Sequence, residues 1–119
     1  MDAAYITRWN GVVRGREAQA LAVLGESLEF WEKMAADGKC DPPQVYGGPT
    51  GNGMKIIHGD PDQLAQLIAS DEYTRILTKV QFVAEEWDYG IWLTGDAMNE
   101  QLGQWMEIGK ELGVIGEAP

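Results

Sequence analysis

Hydrophobic and polar positions alternate between two rhythms along the chain. Residues 5–13, YITRWNGVV, are rich in β-branched and aromatic side chains and predict a strand that ends at Gly15. From Glu17 to Ala36 the period changes: Leu21, Leu24, Leu28, Trp31 and Met34 recur at spacings of three and four, the pattern of an amphipathic helix. Gly38 and the Pro42–Pro43 pair beyond it stop that helix. QVYGG and MKIIHG then predict two short strands joined by PTGNG, whose Gly and Asn permit a hairpin turn.

The next segment carries two helix starts. Asp60 is placed to cap a helix with Pro61 at its first position and Gln63 closing a capping box, and Leu64, Leu67 and Ile68 form its buried stripe. Ser70 offers a second cap, with Asp71 and Glu72 suited to a new helix dipole and Tyr73, Ile76, Leu77 and Val80 as the second stripe. Two caps predict a broken helix. A long strand is expected over 81–93, then a C-terminal helix opened by Thr94 or Asp96 with Met98, Leu102, Trp105 and Leu112 in line.

Strand, helix, strand, strand, helix, strand is the α+β split βαβ order (βαββαβ) of a ferredoxin-like domain, with one antiparallel sheet and an extra C-terminal helix. No repeat or linker divides residues 1–119, so a single domain is expected. The sheet is apolar on both sides. Trp87, Tyr89, Ile91 and Leu93 would share one face of the last strand, and Phe82, Ala84 and Trp92 the other. On the first strand Tyr5 and Trp9 oppose Ile6 and Val12. Four large side chains left in water would forgo about 1.5–3 kcal/mol each. Two helices cover one face, so a second cover is needed: another copy of the chain, or the C-terminal helix folded beneath the sheet of a monomer. The homodimer is the preferred expectation, with the last helix bracing the contact or capping an edge.

Charge narrows the partners. A net charge of −10, with nine basic residues among nineteen acidic ones, supplies no patch for a phosphate backbone, so nucleic acid is not expected. No apolar run approaches a membrane span, and the N-terminus lacks a signal-peptide core, so a cytoplasmic protein without membrane contact is expected. Cys40 is the lone cysteine and His58 the lone histidine, which excludes an internal disulfide and a multi-histidine metal site. Glu85, Glu86 and Asp88 alternate faces instead of converging, so no metal is expected. The loop GGPTGNG lacks the Lys-Ser/Thr of a phosphate-binding loop, and no nucleophile elbow is present.

The segment LAQLIASDEYTRILTKV, broken at Ser70–Asp71 and resumed with Tyr73, resembles the second helix of the dimeric α/β barrel superfamily. The strand ending in Gly59 and the strand after the helix fit the same layout, over about residues 4–94. The resemblance implies a homodimer whose sheets close a barrel. In the haem-degrading members an Asn on the first strand works with a Trp and a His; Asn10 matches the Asn, but Leu67 and Leu77 stand at the other two positions, so haem is not expected and no cofactor is assigned. Arg8, Trp9, Tyr46 and Trp92 are candidates to line a cavity for a small aromatic or anionic molecule. In the alternative reading, an enzyme similar to the cofactor-independent antibiotic-biosynthesis monooxygenases or an isomerase, Asn10 would hold a substrate oxyanion and His58 would take its proton.

Overall fold

The computed structural model describes residues 2–116. Four strands, β1 (Ala3–Trp9), β3 (Gln44–Gly47), β4 (Gly53–Gly59) and β6 (Asp88–Leu93), form an antiparallel sheet in the order β3-β4-β1-β6. Central β1 runs in register with both neighbours, Tyr5 opposite Ile57 on one side and Ile91 on the other. Helices α1 (Glu17–Ala36), α2 (Pro61–Ile68) and α3 (Asp71–Val80) join these strands. The order and topology are those of the ferredoxin-like fold, as the sequence pattern implies.

Local chemistry sets the boundaries. Asp60 accepts from the Gln63 backbone N–H at 3.1 Å and Ser70 from that of Tyr73 at 3.3 Å, so α2 and α3 are separate capped helices. The hairpin closes with Gly48 donating to the Asn52 carbonyl at 2.8 Å, and Gly51 takes φ +81°, a conformation open chiefly to glycine. Ala3, Tyr5 and Ile57 on the sheet meet Phe30, Trp31 and Met34 of α1, Leu64 and Leu67 of α2, and Tyr73, Ile76 and Leu77 of α3 in one core.

Three expectations need correction. The first strand does not continue to residue 13, because the chain bends at Asn10 and resumes as the short β2 (Gly11–Val12). The strand expected over 81–93 is likewise cut: residues 81–83 are a turn, β5 (Ala84–Glu85) pairs with β2, and Glu86 at φ +46° breaks the chain before β6. These paired breaks reset the alternation, so Val12 lies on the same side as Trp9, and Ala84 on the side opposite Trp92. Thirdly, the stripe of α1 is displaced. Its buried residues are Ser27, Phe30, Trp31 and Met34, while Leu21 is 71% exposed.

The C-terminal helix α4 (Gly95–Glu111) does not fold beneath its own sheet. Among the described residues it forms no extended packing with another element, and Met98, Leu102, Trp105, Ile108 and Leu112 are all exposed. The uncovered face of the sheet carries Ile6, Arg8, Met54, Ile56, His58, Asp88 and Trp92, aligned by register. No helix among the described residues is long and apolar enough to cross a membrane.

Candidate functional site

The displaced stripe of α1 opens a cleft. The C-terminal half of the helix is anchored on the sheet by Phe30, Trp31 and Met34, whereas the first half stands off it. The space between is about 470 Å³, within the range of small-molecule sites. Ala20, Leu21, Val23 and Leu24 of α1 form one wall, Trp9, Val12, Val83 and Ala84 another, and β3 with its glycine hairpin closes the side from Val45 to Asn52. Trp9 is seated against Gly53, where a Cβ would come within 2.5 Å of the indole ring.

A few polar groups face this apolar space. Lys55 lies on the core side of β4, in step with Ile57, and is 4% exposed. Its Nζ donates to Ser27 Oγ and, at 3.1 Å, to the Tyr73 hydroxyl. The Tyr73 hydroxyl also lies 2.9 Å from that of Tyr5, and Lys55 Nζ sits over both rings, 5.5 Å from the centroid of Tyr73 and 5.9 Å from that of Tyr5. Thr7, Ser27 and Lys55 all reach the cleft, and the buried Thr7 hydroxyl has no hydrogen-bond partner among the described residues.

The two phenols are driven apart electrostatically. Burial and the adjacent Tyr73 push Tyr5 well above the usual tyrosine range. Burial acts on Tyr73 in the same direction, but the Lys55 charge and the hydrogen bonds from Tyr5 and Lys55 outweigh it and hold Tyr73 below that range. The Tyr73 oxygen accepts from Lys55, whose amino group lies beneath the cleft.

The sequence candidates divide between places. Trp9 belongs to the cleft lining, and Tyr46 borders the cleft on edge strand β3, where its register with Met54 puts its side chain on the uncovered side of the sheet. Arg8 and Trp92 meet on the opposite, uncovered face: the guanidinium lies 5.4 Å from the indole centroid and grips Asp88 through two hydrogen bonds of 2.8 and 3.1 Å. Asn10 is outside the cleft, donating to Glu86 at 2.6 Å. His58 pairs with Ala4 at the far end of β1, six positions from Asn10, or roughly 20 Å along a strand. The structure therefore does not bring Asn10 and His58 to a common substrate atom. Sequence reasoning missed Lys55, Ser27, Thr7 and the Tyr5–Tyr73 pair. The available signal was parity: Lys55 and Ile57 are two apart on a strand, so a core-facing Ile57 forces a core-facing lysine. Among the described residues no group of three or more His, Cys, Asp or Glu is placed to hold a metal.

No known family model matches the sequence, and no curated protein does. Solved structures do match in fold. SnoaB from Streptomyces nogalater, described as a cofactor-independent oxygenase, superposes with a TM-score of 0.63 at 13% identity, over 81% of this chain and 96% of its own. Rv0793 from Mycobacterium tuberculosis gives 0.64 at 14% identity, over 81% and 97%. A dimeric protein of unknown function and ferredoxin-like fold from Bacteroides fragilis gives 0.54 at 11% identity, over 76% and 94%. These neighbours share the ferredoxin-like fold with this chain, and each leaves about a fifth of the chain or slightly more unmatched.

Proposed function

We propose that this protein is a homodimer that binds a flat aromatic molecule with an ionisable hydroxyl in the cleft between α1 and the sheet, its oxyanion directed at Lys55. The observation that carries the reading is the buried Lys55 ammonium, held by Ser27 and Tyr73 under a mostly apolar cleft whose lining also includes Thr7, Glu17 and Asn52. A lysine in such a place attracts an anion, and the walls of Trp9, Val12, Leu24 and Val83 suit an aromatic ring. The Thr7 hydroxyl, unpartnered among the described residues, supplies a further polar contact. The apolar side chains on the uncovered sheet face, Ile6, Met54, Ile56 and Trp92, favour a second copy packed across it, and the Bacteroides neighbour is described as dimeric.

A second reading is that the bound molecule is oxidised by dioxygen without a cofactor; SnoaB is described as a cofactor-independent oxygenase. It is favoured by the link from Lys55 to the acidified Tyr73, a short path for a proton leaving the substrate. Lys55 and Tyr73 take the roles that the sequence reading gave to Asn10 and His58.

Titration with substituted phenols and naphthols, read by tryptophan fluorescence, tests the binding proposal. Saturable quenching that weakens at least about tenfold in Lys55→Met, the loss of one favourable charge contact, is expected. Quenching of equal strength in the variant would reject Lys55 as the anchor, and no response across the series would reject an aromatic ligand. Oxygen uptake with the same compounds separates the enzyme from the binding protein.

A further inference from the structure

Helix α4 has the face of a core helix and no core to face. Met98, Leu102, Trp105, Gly109 and Leu112 follow one another at spacings of four and three, the seam of a helix that packs on another surface. The one gap in the seam is filled from the chain itself. Gly113 at φ +74° ends the helix, and the Val114 and Gly113 N–H groups bond back to Gly109 and Lys110, each at 3.0 Å. That turn brings Ile115 onto Gly109, where a Cβ would fall 2.3 Å from the isoleucine side chain. The seam is therefore finished to its last turn, yet Trp105 is 62% exposed and Leu112 71%.

The whole chain carries the same imbalance. Its radius of gyration is 17.3 Å, whereas a compact domain of this length has about 13.5 Å. It exposes 7918 Å², whereas a compact monomer of its mass exposes about 6,400 Å². The surplus, about 1,500 Å², exceeds the roughly 800 Å² that each partner gives to a stable interface. A lipid surface is a poor occupant, because the polar back of α4 carries Asp96, Glu100, Glu107 and Glu111 against Lys110 alone, and anionic lipid repels such a helix.

We propose that α4 is an exchanged arm whose apolar face seats on a second copy of this chain. Thr94, bonded through its N–H to the Asp2 carbonyl at 2.8 Å, and Gly95 at φ +61° fix the point where the arm leaves the sheet edge. By twofold symmetry each copy then gives one arm and receives one. The inference rests on the homodimer proposed above, and one experiment distinguishes their failures.

Sedimentation of the full chain is compared with that of the Leu102→Glu/Trp105→Glu double variant, and a photo-cross-linking residue is placed at position 105 in mixed, mass-tagged copies. The wild type is expected at twice 13.1 kDa. The double variant, whose body folds without α4 contacts and keeps its circular dichroism, should dimerise at least about 100-fold more weakly, and the cross-link should join two copies. A dimer of unchanged strength with no cross-link between copies would overturn the arm and leave the homodimer standing. A wild type at 13.1 kDa at high concentration would overturn both. Cross-links confined to one chain would place α4 on its own body and overturn the arm.

Discussion

The Asn10 side-chain amide donates to the Glu86 carboxylate across 2.6 Å, joining the break after β1 to the break before its partner β6. Asn10 is the bend between β1 and β2, and Glu86, at φ +46°, is the bend between β5 and β6. The backbone repeats the link, with the Asn10 N–H donating to the Glu85 carbonyl at 3.1 Å. A residue that the sequence offered as catalytic is thus the fastener of a double kink, and the kink turns Val12 and Ala84 into walls of the cleft. Glu86→Val should cost about 1–2 kcal/mol, since a β-branched residue tolerates the left-handed region poorly. Glu86→Gly should change stability by less than about 0.5 kcal/mol, because relief of the backbone offsets the lost hydrogen bond. Urea denaturation of the two variants checks the contrast; equal losses would show that the carboxylate, and not the backbone, matters.

Lys55 and Ser27 are predicted to depend on each other. Ser27 is 2% exposed, and its hydroxyl bonds to Lys55. Lys55→Met leaves that hydroxyl and one side of Tyr73 unsatisfied and should lower stability by about 1–3 kcal/mol. Adding Ser27→Ala should recover part of the loss. Two losses that simply add would mean that the pair is not coupled.

The tyrosine pair predicts an alkaline signature of two signs. Tyr73 has a lowered folded-state pKa, because the Lys55 charge and the surrounding hydrogen bonds outweigh its burial, so it ionises in the folded protein before the unfolded chain does. Its contribution to stability is absent at lower pH, grows as pH rises through the folded pKa, and is fully present above the unfolded value of about 10. Tyr5 is raised by burial and by Tyr73, so above about pH 10 the unfolded chain gains an ionisation that the folded state resists, and stability falls. Phenolate absorbance should show an early step that Tyr73→Phe removes and Tyr5→Phe weakens. An early step that survives Tyr73→Phe would assign it elsewhere.

Gly53 sets the position of the Trp9 wall. A methyl group there meets the indole ring at 2.5 Å and the Tyr46 carbonyl at 2.9 Å. Gly53→Ala should cost about 1–3 kcal/mol through overpacking and shift the Trp9 emission, weakening ligand binding without touching Lys55. Thermal melts and a fluorescence titration give the two readouts; unaltered emission would mean that the strand, not the indole, moves aside.

Cys40 should be inert in the folded protein. It is buried, and burial together with Asp41 pushes its thiol up, away from the thiolate that reacts. Labelling by a thiol reagent at neutral pH should be slow and rise sharply only with denaturant. Fast labelling in native buffer would mean that the loop between α1 and β3, which carries Cys40, opens readily.

The sequence alone determined the element order, the two caps at Asp60 and Ser70 and the glycine hairpin, because each depends on neighbours a few residues apart. It also showed the apolar seam of α4 and, through the fold, the uncovered sheet face. The tertiary structure decided what depends on residues far apart in the chain. Asn10 and Glu86 meet only when β1 and β6 are paired, and the break they share reverses an alternation that the one-dimensional pattern carries straight through. Lys55 becomes a cleft cation only because Ser27 and Tyr73 arrive on two different helices, 28 residues before it and 18 after. Local spacing specifies which way a side chain points along its own element; what stands opposite it is set by packing, and the chemistry of this site lies there.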